Sequence, residues 1–199
     1  MLSRKIVLPV LLFVVVIGLW EGIVRLGGVP EFIFPAPSKI AKFYVQFGYT
    51  LMWDAWATVM ETLLGFVLAG VLGVLFAVLL VYSPFIHDAF YPLLVVLQVT
   101  PKIAIAPLLL LWFGYGLVPK IVIGFFISFF PIVVTTIHGL TSVEPEMLDL
   151  LHSLRASKKK IFWKARLPHA LPYIFSGFQI AVTLSLIGAI VAEFVGAEL

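Results

Sequence analysis

Cysteine is absent from the 199 residues, which excludes a disulfide framework, a thiolate metal site and a thiol nucleophile. Charge is scarce too: Asp, Glu, Lys and Arg make up 12% of the chain, against about 25% in soluble domains. Thirteen basic and ten acidic side chains are too few to cover a soluble core of this size with polar groups. No GxxxxGK[ST] phosphate loop occurs, so any nucleotide hydrolysis of that kind must come from another polypeptide. The four histidines, His87, His138, His152 and His169, form no H-x-x-x-H pair, and His87 beside Asp88 reads as a loop end. No catalytic group, metal or cofactor is expected, and no nucleic-acid partner.

What the chain has is apolar length. Hydrophobic residues make up 62% and the mean hydropathy is +1.16. A helix needs about 20 mostly apolar residues to cross about 30 Å of hydrocarbon. Five regions meet that length, so the expected fold class is an all-α integral membrane protein with about five transmembrane helices, surrounded by the lipid bilayer. The first, 6–26, follows Arg4 and Lys5 and lacks a small-residue cleavage site, so it reads as an uncleaved span. The second, 62–86, carries no charge, and the fourth, 121–143, carries only His138. The fifth begins after Pro172 and ends at Glu193. The third is interrupted, because Pro101 and Lys102 separate two short runs, 89–100 and 103–119. Proline removes a backbone donor, so this region reads as one broken span whose freed groups are satisfied by facing protein rather than lipid. Residues 27–60, with Gly27, Gly28, Pro30, Pro35 and Pro37, read as a long loop with short interfacial helices at 40–45 and 53–59.

The placement of basic residues sets the expected orientation. With the N-terminus inside, the loop 139–172 is cytoplasmic and holds Arg155, Lys158, Lys159, Lys160, Lys164 and Arg166. With Arg4 and Lys5, that puts eight of the thirteen Lys and Arg on the inner side. Five spans then leave Leu199 on the outer side with no closing segment.

Within that loop Pro145 suits a first helical position, and Glu144 and Glu146 suit the positive end of the helix dipole. Met147, Leu150, Leu151 and Leu154 recur at i, i+3, i+4 and i+7 and form one apolar stripe. Ser157 can cap a second short helix carrying Ile161, Phe162 and Trp163, which Leu167 and Pro168 should stop. The stripe is too small to form a core alone and needs a partner surface, either lipid headgroups or another protein.

The stretch EMLDLLHSLRASKKKIFWKARLP, residues 146–168, resembles the "EAA" loop of ABC importer permeases. In that loop an acidic residue and two small residues precede a Gly, and an Ile or Phe and a Leu-Pro pair follow. Asp149, Leu150 and Leu151 stand at the Glu-Ala-Ala, Arg155 stands at the Gly, and Leu167 and Pro168 supply the Leu-Pro. The resemblance extends to PEFIFPAPSKI (30–40), VTPKIAIAPLLLLWFGYG (99–116) and FSGFQIA (175–181), and points to the nitrate, sulfonate and taurine branch. It implies a homodimeric permease in the bacterial inner membrane. Its loops dock on an ATP-binding cassette ATPase, and an external binding protein delivers the solute. Residues 1–60 would then hold the first span and an external segment, and 61–199 the permease core. The docking set would be Glu146, Met147, Asp149, Leu150, Leu151, Leu154, Arg155, Ser157, Ile161, Phe162, Leu167 and Pro168, with Phe162 packed beside the stripe. Arg155 in place of Gly would burden any left-handed turn there. Family members usually continue past 192–197 into a further span, so the 199 residues alone are expected not to sustain transport.

Gly65, Ala69 and Gly73 recur every four residues, as do Gly177, Ala181, Ser185 and Ala189. Such stripes let helix backbones approach closely, and they either pack or also border a pathway. Gln98, Lys102, Gln179 and Ser185 are the candidate pathway residues, because polar groups in apolar spans are expensive and often functional. Lys102, beside the broken helix, either attracts an anion or snorkels to an interface. Glu193 reads as interfacial. The alternative function is a channel not driven by ATP, or a membrane assembly subunit.

Overall fold

The computed structural model of the chain describes residues 2–28, 30 and 32–197. All regular elements among them are helical: α1 (Leu2–Leu26), α2 (Pro37–Tyr82), α3 (Pro84–Val99), a 3₁₀ turn (Lys102–Ile105), α4 (Ala106–Phe113), α5 (Leu117–Thr141), α6 (Pro145–Ser153), α7 (Lys158–Ile161), a π turn (Phe162–Arg166) and α8 (Leu167–Ala197). Four helices are long and apolar enough to cross a membrane, and the bent pair Pro84–Val99 and Lys102–Phe113 brings the number to five if it counts as one span. The chain divides into two units, Met1–Trp56 and Ala57–Leu199. Leu199 and the side chain of Arg4 lie outside the described residues.

In the first unit the Glu21 carboxylate accepts the Ser38 backbone N–H at 2.9 Å and the Ser38 hydroxyl at 2.6 Å. Ser38 is the second residue of α2, so this carboxylate satisfies one of the four donors left open at a helix start, where the dipole favours negative charge. Trp20 packs on Phe34 with ring centroids 5.1 Å apart. The expected short helices at 40–45 and 53–59 are helical, but they are not separate pieces of a loop, because from residue 37 onward they belong to one helix, α2. Proline stands only at the first position of α2, so nothing breaks the i→i−4 ladder for its 46 residues, far more than one crossing requires.

The second unit is built on α5 and α8, which lie against each other along small residues. A Cβ on Gly188 would stand 2.9 Å from Gly124 Cα, and one on Gly139 would stand 2.8 Å from Tyr173 Cβ. The Ser128 hydroxyl donates to Ala181 O at 2.9 Å across the same contact. Helix α2 joins this pair through Gly65, beside Ile121 O, through Gly73, beside Ile132, and through the Ser185 hydroxyl, which donates to Thr62 O at 2.9 Å. Ala69, Ile132 and Ala181 are fully buried where the three helices meet.

Several boundaries differ from those read in the sequence. The second span ends at Tyr82, and Ser83 caps α3 by accepting the Ile86 N–H, so Ile86 belongs to α3. The broken span is bent by 92°. Of the broken span, α4 buries Ala106, Leu109 and Leu110 against the α5 and α8 residues Ile123, Ile127 and Ala192, as expected of a span facing protein, whereas α3 buries only Leu94. Gly114 and Gly116, at φ 73° and 136°, make the turn into α5, which starts at Leu117 and takes Lys120 into its first turns. The largest correction concerns 158–168. Pro168 has no N–H and its ring would crowd the carbonyl one turn back. The backbone widens instead of stopping: the Leu167 N–H bonds to Phe162 O in a π turn, and the helix continues from α7 into α8. The expected second short helix is the first part of the last span.

Helix α6 ends in a Schellman motif, with the Arg155 N–H on His152 O and the Ala156 N–H on Leu151 O, both at 2.9 Å. Arg155 takes this turn at φ 49°, the one positive φ at a residue other than glycine among the described residues. A side chain there costs about 1 kcal/mol relative to glycine. Arg155→Gly should therefore slow amide hydrogen exchange over 150–157 by about fivefold, the equivalent of about 1 kcal/mol. Unchanged or faster exchange would show that the left-handed turn carries no strain.

Candidate functional site

Three groups of residues combine unusual chemistry with defined positions. The first is the 142–166 segment at the end of the bundle where α5 stops and α8 begins. Its second half is anchored. Ile161 is buried, the Phe162 ring meets Tyr82 edge-on at 5.4 Å, and Arg166 Nη1 donates to Leu140 O at 3.1 Å, closing the C-terminal end of α5. Ser157 accepts the Lys160 N–H and starts α7. Its first half is not covered. Met147, Leu150 and Leu154 are 49%, 60% and 69% exposed, whereas Leu151 is half-buried. Glu146, Asp149 and Pro168 are exposed and Leu167 is half-buried. Phe162 packs against the chain's own core of Leu140, Ala170 and Ile174. Phe162 follows the buried Ile161 directly, and its ring packs on the apolar surface of Tyr82.

The second group surrounds the bend between α3 and α4. Gln98, Lys102, Phe130, Thr135, Ile180 and Leu184 line a cavity of about 490 Å³. Lys102 Nζ donates to Gln98 O at 2.9 Å and lies 4.9 Å from the centroid of the Phe130 ring. Of the four polar residues singled out in the sequence, Gln98 and Lys102 share this cavity. Gln179 is exposed and Ser185 is sealed between α2 and α8. Gly177 is buried against Thr135 and Ile132, and Ala189 is fully buried, so both lie in packing.

The third group was not singled out in the sequence except for Glu193. Lys120 Nζ lies 3.0 Å from Glu61 Oε1 and 3.4 Å from Glu193 Oε1, and the Thr58 hydroxyl donates to the same Glu193 oxygen at 2.8 Å. These residues come from α2, α5 and α8 and sit at the opposite end of α5 and α8 from the 142–166 segment. Glu61 is 4% exposed. Glu193 is therefore a member of a bridge between helices and not simply an interfacial charge. The available signal was that Glu61, Lys120 and Glu193 flank matching ends of three apolar runs. No group of three or more His, Cys, Asp or Glu among the described residues has the geometry to hold a metal ion.

Removing one partner of a buried ion pair costs about 3–5 kcal/mol, because the remaining charge is left uncompensated. Lys120→Met should lower the thermal midpoint of the detergent-solubilised protein markedly, and Lys120→Met combined with Glu61→Gln should recover part of the loss. An additive loss in the double variant would show that the two side chains do not interact.

Residues 69–199 match the family described as binding-protein-dependent transport system inner membrane component. The chain is 37% identical over 194 residues to a probable ABC transporter permease protein of Haemophilus influenzae, a match covering 98% of this chain and 79% of that one. It is 35% identical over 191 residues to the formylaminopyrimidine transport permease protein of Halalkalibacterium halodurans, with 96% and 76% covered. It is 29% identical over 190 residues to a putative aliphatic sulfonates transport permease protein of Bacillus subtilis, with 94% and 69% covered.

Proposed function

The chain belongs to the family of binding-protein-dependent transport system inner membrane components, the ABC transporter permeases, and we propose that it forms the membrane pathway of an ATP-driven importer. In this reading it works as a homodimer in the bacterial inner membrane with its N-terminus in the cytoplasm. A separate ATPase hydrolyses ATP, and an external binding protein delivers a small solute. The solute is a small anion such as nitrate, a sulfonate or taurine, a class supported by the sulfonate permease among the relatives. A formylaminopyrimidine is the second candidate, since a relative 35% identical to this chain carries that name.

The observation that carries the reading is the exposed apolar stripe of α6, Met147, Leu150 and Leu154, held out beside an anchored α7. Apolar side chains in an amphipathic helix of nine residues seek a groove on a partner. Burying one Leu is worth about 1.5–3 kcal/mol, and about 1.4 kcal/mol already corresponds to a tenfold change in affinity. Leu150→Asp should therefore weaken retention of the ATPase by the solubilised permease by more than about tenfold. Lys159→Ala should have little effect, because exposed ion pairs contribute about 0–1 kcal/mol. If Leu150→Asp inserts normally and keeps the ATPase as the parent does, α6 is not the docking element, and a channel or assembly subunit becomes the better reading.

Orientation follows from the basic residues of the 142–166 segment. Cysteine is absent, so single cysteines report position cleanly. Phe32→Cys, at an 88% exposed position, should react with a membrane-impermeant thiol reagent in intact cells, and Ser157→Cys only after permeabilisation. The reverse pattern would invert the proposed topology.

A further inference from the structure

Two lysines lie in the membrane-spanning part of the second unit, and their surroundings are opposite. Lys120 is held between two carboxylates. Lys102 has none: among the described residues no Asp or Glu forms an ion pair with it. An ammonium carries three donors, and among the described residues Lys102 donates to the Gln98 carbonyl that the helix break has freed. The Phe130 ring meets the cation through its electron-rich face but brings no negative charge. The remaining protons and the full charge stand at the wall of the 490 Å³ cavity. Thr135 is not a competing donor, because its hydroxyl proton is directed to the Pro131 and Ile132 carbonyls. Across the cavity, Ile180 and Leu184 of α8 present an apolar wall. A charged side chain kept unpaired within a membrane span is a site awaiting its counter-charge.

We propose that Lys102 is the specificity-determining residue of the pathway, and that it receives an organic monoanion whose charged head meets Nζ while its short apolar body lies against Phe130, Ile180 and Leu184. This rests on the reading of the chain as a solute permease. The cavity is roomier than an inorganic ion requires, and its lining is apolar apart from Gln98, Lys102 and Thr135, so a sulfonate or carboxylate with a small hydrocarbon tail fits it better than nitrate does.

The test uses the full chain in lipid nanodiscs, without ATPase, so its outcome is independent of the docking experiment on α6. Reductive methylation of Lys102 is followed by mass spectrometry of its peptide, with Lys159 as the solvated reference. Butanesulfonate is the anionic probe, the neutral butanesulfonamide its isostere, and nitrate the probe without a tail. Butanesulfonate at about four times its dissociation constant should slow methylation of Lys102 by about fivefold and leave Lys159 unchanged. Butanesulfonamide should protect neither lysine, and nitrate should protect Lys102 less. Equal labelling of Lys102 with and without butanesulfonate would overturn the proposal, as would equal protection by the sulfonamide. Nitrate protecting as well as butanesulfonate would overturn the assignment of an organic anion.

Discussion

The close approach of α5 and α8 is the constraint from which the rest of the second unit follows. Gly124 against Gly188 and Gly139 against Tyr173 and Ala170 leave no room for a Cβ between the backbones. In lipid there is little hydrophobic force between helices, so such contacts depend on dispersion between tightly fitted surfaces and on a few hydrogen bonds such as Ser128 to Ala181 O. That fit fixes the angle and height of α8 on α5. Those in turn set where Ile180 and Leu184 face Lys102, and where Glu193 meets Lys120.

Charge is then distributed with economy along the bundle. At one end Lys120, Glu61, Glu193 and Thr58 join three helices through ion pairs and a hydrogen bond. Near the middle the broken span turns by 92° and leaves a lysine and a free carbonyl at a cavity wall. Charge paired within the chain serves packing, because Lys120 ties two carboxylates from α2 and α8 to α5. Uncompensated charge serves recognition, because its counterpart must come from outside the chain.

At the other end the 142–166 segment is half fixed and half presented. Ile161, Phe162 and Arg166 tie α7 and the π turn to α5 and Tyr82. Helix α6 is positioned by the Schellman turn at Arg155 and keeps Met147, Leu150 and Leu154 outward. Because α7 runs without a stop into α8, a displacement of the segment by a docked partner would be carried along a continuous helix of 39 residues, Lys158–Gly196. The widened turn before Pro168 and Pro172 inside α8 are irregular steps in that path.

Composition and periodicity alone determined that this chain is an all-helical membrane protein, that its third span is broken at Pro101 and Lys102, and that 145–154 is an amphipathic helix. Those properties depend on transfer energies and local geometry, which act residue by residue. Local rules failed where a helix continues through sequence that looks like a stop. Residues 40–60 are helical because no proline interrupts them, and the ladder survives Pro168 by widening. Which face of the 147–162 region turns outward was decided only by tertiary packing, since Phe162 is as apolar as Leu150 but finds Tyr82 and the Leu140–Ala170–Ile174 core within reach. The pairing of Lys120 with Glu61 and Glu193, and the isolation of Lys102, were likewise invisible along the chain. The residues of the bridge are 59 and 73 positions from Lys120, and only the docking of α2, α5 and α8 brings one lysine to its carboxylates and leaves the other facing a cavity.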